Sequence, residues 1–541
     1  MRSKTTYSLG IVILAAVLGL VLGVMFAPKI DQRYWKRNAN ESAMSARVNT
    51  MMGLVENCYV DDIDYDSLTD KMMNAMLSTL DPHSCYLSPT AFEQEAELMQ
   101  GQFEGIGLTL YYLGDTVYGS NVIPGSPAQR AGLHPGDRII KVDTTVVSGR
   151  GLTKDTKGVV SLIRGPRHST VTLGIQREGS NKIIYKKVQR DVIHHTSIPA
   201  AVMLDNQTGY IFISNFAEHT AEEFHTALES LNKQGMKHLV VDLRGNGGGV
   251  LDGAIKIADE LLPKGDLIVY TQGAHDRRRN IYATKGGLFE TGRLTILINE
   301  HSASASEVVS GAIQDNDRGA IIGHRSFGKG LVQRQFDLPG NAAMLLTIAR
   351  YYSPSGRCIQ RPYDKGSDDY YMQYLTRVLS DYNSADSVLN QVDTSQTFLT
   401  AHGRKVYGGG GIQPDVTLPY LRDVHLVYYN DLISKQVMET IIYDQLFRHY
   451  DQLIKQYPTV ESFEKNYRID DATWQSILRL ADKKGLKRDE VCLTKYKNDI
   501  QSRYKGILAQ CLYGDGAYYK MVMPTDVELQ MALKAKVKLA K

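Results

Sequence analysis

Three separated segments of this 541-residue chain place chemically useful side chains in settings where they could act. The apolar run Leu294-Thr295-Ile296-Leu297-Ile298-Asn299 leads through Glu300-His301 into Ser302-Ala303-Ser304-Ala305-Ser306-Glu307 and a helical stretch. A serine between a strand and a helix suits a nucleophile, because the helix N-terminus offers unpaired N–H groups and the positive end of its dipole. The same letters satisfy the capping pattern S-x-x-E, in which a serine only closes the helix end. Taken alone, the fragment leans toward the cap. In the second segment, Ser326-Phe327-Gly328-Lys329-Gly330-Leu331-Val332-Gln333, one lysine sits between two glycines ahead of an apolar strand. A lysine acts as a general base only when desolvation lowers its pKa from about 10.4 toward about 7–8. Strand alternation puts Gln333 on the face of Lys329, where its amide would orient the amine. The third segment, Val241-Asp242-Leu243-Arg244-Gly245-Asn246-Gly247-Gly248-Gly249, ends a strand with exposed backbone amides. One of these, with the N–H of Ala305, would make an oxyanion hole. A phosphate cradle is the rival, but no Lys-Ser/Thr follows and there is no GxGxxG. A Ser/His/Asp triad using His301 or His324 with Asp315 or Asp317 also stays open, since spacing does not exclude it.

These segments need a scaffold of alternating strands and helices, and residues 196–420 have that pattern. A helix is expected over Ala221–Lys233 with Phe224, Leu228 and Leu231 on one face, then a strand at Leu239–Leu243. Strand Leu294–Asn299 feeds a helix near Ser304–Asn316, giving an α/β core. Residues 101–192 carry short β-rich runs between glycine turns. Residues 28–100 read as a polar, helical accessory segment, with Met51, Leu54, Val55 and Tyr59 at helical spacing and a break at Asp81-Pro82. Residues 421–541 read as a helical appendage with Lys- and Tyr-rich faces and no catalytic cluster.

Composition narrows the function classes. With 62 Lys+Arg against 59 Asp+Glu, a net charge of +3 and 43% hydrophobic residues, the chain is neither wholly disordered, collagen-like nor built to coat a polyanion. No nucleic-acid partner is expected. Five scattered cysteines without a CxxC pair argue against a disulfide scaffold or structural zinc. Residues 9–27 form an uncharged run of 19, long enough to span a bilayer. Pro28 after the candidate cut disfavours cleavage, so an uncleaved membrane anchor is favoured over a signal peptide. Basic residues on both flanks leave the orientation open, and export of the remaining chain is the ordinary expectation.

Within residues 101–192, Gly105-Ile106-Gly107 opens a strand and Gly125-Ser126-Pro127-Ala128 through His134-Pro135-Gly136-Asp137 follows. This order resembles a PDZ domain, whose loop amides take a C-terminal carboxylate while an edge strand pairs with the peptide. Together with Asp242–Gly249, Ser302–Glu307 and Phe327–Gln333, and with Tyr351–Arg357 and Gly409–Val416, the chain resembles the C-terminal processing (tail-specific) proteases over roughly 50–420. The resemblance implies a multidomain α/β (α+β) fold. A crotonase/Clp-like serine protease core (193–420) would carry an inserted PDZ domain (101–192), a helical N-terminal region (28–100) and a helical C-terminal domain (421–541) behind the segment 1–27. It assigns Ser304 as nucleophile, Lys329 as base and Gln333 as its orienting group. The oxyanion donors would be Ala305 and Gly248, and the carboxylate would be taken by Gly105, Ile106 and Gly107. His301 and Gly247 depart from residues common in the family, and neither change removes a catalytic group. The implied chemistry calls for no metal and no organic cofactor. Expected partners are protein or peptide substrates with apolar C-termini, and the membrane through the N-terminal segment. The expected setting is the cell envelope, with the catalytic region on the periplasmic or extracytoplasmic side. Residues 421–541 would serve a homodimer, an adaptor or a cover for the site. Cys492 with Cys511, and Cys58 with Cys85, are disulfide candidates in such a compartment. Arg164 is read either as a bridge from the PDZ module to the catalytic body or as a surface residue. The competing class is a non-catalytic PDZ-containing scaffold, which would show damaged catalytic positions.

Overall fold

The computed structural model describes residues 32–149, 156–177, 182–284, 286–383 and 395–537. The expected anchor at residues 1–27 lies outside them. Among the described residues no helix is long and apolar enough to cross a membrane. Two compact units separate at Met72. The first contains the 27-residue helix Gln32–Cys58, on which Met51 and Leu54 are exposed.

The second unit holds the core. Its main sheet runs in the order Ala200–Met203, Thr208–Phe212, His238–Asp242, Arg293–Ile298, Ala320–Gly323 and Val416–Thr417. The first pair is antiparallel and the others are parallel. Parallel strands covered on both faces are built from near-continuous apolar runs, and every residue of His238-Leu239-Val240-Val241-Asp242 is buried. Leu239, Val241, Ile296 and Ile298 face the helices Thr220–Lys233, Leu251–Leu261 and Ala305–Asp315. Val240 and Leu297, one step out of phase, pack with Met523, Leu529 and Ala532 of the C-terminal region. Phe224, Leu228 and Leu231 lie in the core as the periodicity predicts.

A second, antiparallel sheet joins Ala342–Tyr352 to Leu331–Leu338, Leu267–Gln272 and Cys85–Leu87. The segment read as an accessory lead-in therefore supplies a strand of the core. Residues 102–194 form the small β-module. Its sheet has the order Leu108–Leu113, Thr116–Val122, Arg138–Val142, Thr170–Gln176 and Ile184–Gln189, which leaves Leu108–Leu113 on an edge. The C-terminal helices from Leu426 to Val522 enclose a further core, which Tyr118 of the β-module joins. All five cysteines are free, which corrects the two disulfide pairings; Cys492 and Cys511 are each buried as thiols.

Candidate active site

Ser304 stands where the core strand Arg293–Ile298 turns into the helix Ala305–Asp315. It adopts φ 54° and ψ −112°. A non-glycine residue held in such a region costs about 1–3 kcal/mol and persists only where its surroundings over-determine it. A sharp strand–turn–helix bend of this kind lifts a serine hydroxyl out of the fold. Neighbouring hydroxyls are used up structurally. Ser302 Oγ donates to the Leu243 carbonyl (2.8 Å) and Ser306 Oγ to the Asn246 carbonyl (2.9 Å), both serines fully buried, while Ser304 is half-buried.

Glu307 does far more than cap. Its carboxylate is 1% exposed, and Oε2 accepts the N–H groups of Ser304 (2.8 Å) and Lys329 (2.9 Å). Oε1 accepts Ser326 Oγ (2.5 Å) and the Gly328 N–H (2.7 Å). Burial raises its pKa, and these hydrogen bonds pull it back. Four donors aimed at its two oxygens favour the anion. From the other side, the single Tyr351 O–H is shared between the carbonyls of Lys329 (2.6 Å) and Ser304 (3.1 Å). The backbones of the two residues are thus clamped twice.

Burial depresses the Lys329 pKa below the ordinary lysine value, against the opposing pull of Cys85, Glu95, Asp81 and Glu307. Its amine donates to Gln333 Oε1 at 2.6 Å. The Gln333 amide is oriented in turn, because its Nε2 donates to the His83 carbonyl at 2.6 Å. That carbonyl belongs to a turn built on Asp81, which is 6% exposed. The Asp81 carboxylate accepts from the His83 and Ser84 N–H groups (2.8 Å each), Ser84 Oγ (2.5 Å) and Thr347 Oγ1 (3.1 Å). Desolvation, helped by the Lys329 charge, lowers the His83 pKa to about 3, so its ring is neutral.

The glycine loop closes the site. A Cβ on Gly248 would lie 2.8 Å from Ser304 Cβ and 2.9 Å from the Ala303 carbonyl, and its φ is +104°, so only glycine fits. The N–H expected as an oxyanion donor here donates to Asn246 Oδ1 at 2.8 Å. The N–H of Ala305, first residue of its helix, has no intrahelical acceptor. Arg244 on the same loop binds Asp242 (2.6 Å), Asp526 (2.6 Å) and Glu528 (2.8 Å), tying the loop to the chain's end.

No Ser/His/Asp triad is assembled among the described residues. His324 binds Glu528 (3.0 Å), and exposed His301 lies beside Glu300 and Tyr374. Asp315 pairs with buried Arg357 (2.6 Å), while Asp317 holds Arg404 and His402. Gly105-Ile106-Gly107 belongs to the β-module. Gly107 has φ +74°, a Cβ there would fall 2.3 Å from Ser126 Cβ, and the edge strand Leu108–Leu113 starts beside it. Arg164 pairs with Glu97 (2.6 Å) and covers the Phe103 ring, reaching the helix Pro89–Gln100 rather than the catalytic motifs.

Sequence reading missed Glu307 as a hub, Tyr351, Asp81 and the His83 carbonyl. The S-x-x-E spacing, the Tyr351 motif and the Asp-Pro-His-Ser turn were visible, but each bonds across the sequence to groups that spacing does not reveal.

Comparison with known proteins agrees with this architecture. The profile of peptidase family S41 matches residues 207–366 and that of the PDZ domain residues 120–177. A family of unknown function matches 428–514. The carboxy-terminal-processing protease of Bartonella bacilliformis is 34% identical over 368 residues, covering 66% of this chain and 81% of that protein. A probable CtpA-like serine protease of Staphylococcus aureus is 31% identical, covering 65% of this chain and 69% of that protein. A solved photosystem II D1 C-terminal processing protease aligns with 26% identity and a TM-score of 0.34, covering 69% of this chain and 87% of that one. The chain therefore belongs to the carboxy-terminal-processing proteases of peptidase family S41, serine-type peptidases, and carries a PDZ domain.

Proposed function

We propose that the protein is an endopeptidase with a Ser304/Lys329 catalytic pair that cuts polypeptides presented by their C-terminal tails. The observation that carries this reading is the double clamp of Glu307 and Tyr351 on the Ser304 and Lys329 backbones, beside a buried amine held by Gln333. In this mechanism a tail's free carboxylate and apolar last residue dock at Gly105-Ile106-Gly107 and along Leu108–Leu113. Neutral Lys329 takes the hydroxyl proton as Ser304 Oγ attacks the scissile carbonyl. The developing oxyanion is met by the Ala305 N–H and the helix dipole. Collapse breaks the C–N bond, the proton passes from Lys329 to the leaving amine, and an acyl-enzyme remains. Lys329 then accepts a proton from the water that attacks the ester and returns it to the departing Ser304 Oγ, which frees the acid product and restores the serine hydroxyl and the neutral amine. In this reading the catalytic region lies on the extracytoplasmic side of a membrane, supported by the uncharged run at residues 9–27, long enough to span a bilayer.

The test is cleavage of an unstructured protein with an apolar C-terminus, read by mass spectrometry. Ser304→Ala and Lys329→Ala are each expected to abolish internal cuts, and retained cleavage in either would overturn the assignment.

A further inference from the structure

The edge strand of the PDZ module has two faces. Leu108, Leu110 and Tyr112 pack on the module's own core, while Tyr111 points the other way and meets the C-terminal helices, its ring centred 4.5 Å from that of Tyr443. Between that outer face and the helices lies a cavity of about 580 Å³, with Thr109 and Tyr111 on one wall and Glu439, Tyr443, Arg503 and Tyr518 on another. Three buried polar atoms on these walls have no hydrogen-bond partner: Tyr111 Oη, Glu439 Oε2 and Arg503 Nε. Folded proteins leave few such atoms unpaired, and here two donors and an acceptor converge on one space.

A peptide paired to an edge strand alternates its side chains as the strand does, and same-face neighbours across the ladder lie about 5 Å apart. With the terminal carboxylate at Gly105–Gly107, the last side chain goes to the side of Leu108 and the penultimate one to the side of Thr109 and Tyr111. We infer that this cavity is a second recognition pocket, walled by the C-terminal helical domain, that takes the penultimate side chain of a bound tail and selects a primary amide, glutamine or asparagine. A carboxamide donates to Glu439 while accepting from Arg503 or Tyr111. A cationic side chain meets Arg503, and a carboxylate meets Glu439. This rests on the tail docking proposed above, and it gives residues 428–514 a task in substrate choice.

The experiment uses the full chain carrying Ser304→Ala, so that nothing is cut, and fluorescence anisotropy of labelled peptides identical except for Gln, Ala, Lys or Glu at the penultimate position. The Gln peptide is expected to bind about fivefold tighter than the Ala peptide, the worth of one net hydrogen bond, with Lys and Glu no better than Ala. Tyr111→Phe, which removes one oxygen, and Glu439→Gln should each shrink the Gln/Ala ratio toward one while the Ala peptide's Kd stays within twofold. Equal Kd values for Gln and Ala, or a preference that survives both substitutions, overturn the inference alone. Failure of every peptide to bind overturns the tail docking and the inference with it. Loss of the Ala peptide as well in a variant with unchanged unfolding temperature also counts against it, because the pocket would then be acting on the docking strand rather than on one side chain.

Discussion

Replacing Glu307 by glutamine tests how serine and lysine are held in register. The carboxylate accepts from four donors, two on each oxygen. An amide of the same shape has one acceptor oxygen. If that oxygen stays on Ser304 and Lys329, the Ser326 hydroxyl can turn, but the Gly328 N–H faces an NH₂ group. If the amide flips, both catalytic backbones lose their acceptor. One buried donor left unpaired costs about 1–3 kcal/mol, and the surviving bonds lose their charge assistance, roughly half their strength. A loss of about 2–5 kcal/mol falls on the turn that sets the distance from Lys329 to Ser304. Displacement by about 1 Å is enough for a ~100-fold loss of rate. Glu307→Gln is thus expected to lower kcat/KM at least ~100-fold on a quenched tailed peptide, through kcat, since the groups the carboxylate holds belong to the Ser304 and Lys329 turns. Binding of an uncut tail peptide to the same sample separates this from unfolding. A Glu307→Gln protein that binds the tail and turns over within about threefold of the parent would refute the clamp.

Two further outcomes follow from the same geometry. Because burial lowers the Lys329 pKa, kcat/KM should rise with pH along a limb below the ordinary lysine range of about 10.4, as the ammonium loses its proton. In the same window the unfolded chain holds more protons, so stability also rises with pH; a limb at the unshifted lysine value speaks against the buried base. The second outcome concerns the turn behind Gln333. His83→Gln keeps the carbonyl that orients the amide and should leave kcat within about threefold, with no histidine limb lost, since His83 titrates at about 3. Asp81→Ala removes the acceptor that holds the turn and should lower kcat about tenfold or more with KM little changed; the reverse ranking of these variants would contradict the orientation relay.

Much of the scaffold was legible because burial follows periodicity. Phe224, Leu228 and Leu231 repeat at helical spacing, and Leu239–Asp242 is an apolar strand, so both elements form where expected. The strand, turn and helix around Ser304 were legible for the same reason. What spacing does not carry is pairing across the chain. Cys85–Leu87 reads as part of a polar lead-in, yet it pairs with Ala343–Leu345. Gly248 reads as a free amide until the Asn246 side chain is seen folded back on it. The tyrosine-rich face of helix Val437–Gln456 looks the same in sequence whether solvent, a second copy or the PDZ sheet covers it. In the fold it is the sheet, where Tyr443 lies within 5.8 Å of the Tyr118 ring and a Cβ on Gly136 would collide with the Leu446 backbone.

The ion cluster on Arg244 makes the glycine loop and the C-terminal region depend on each other. Its second and third carboxylates, Asp526 and Glu528, lie 282 and 284 residues further along the sequence. Without them, the loop beside the serine carries a half-buried guanidinium with only Asp242 to neutralise it. A variant without these two carboxylates lacks the groups that complete the electrostatic setting of its glycine loop. The charge balance of the glycine loop is thus shared with a helix far along the sequence, so a change of charge at Asp526 or Glu528 is felt beside the serine.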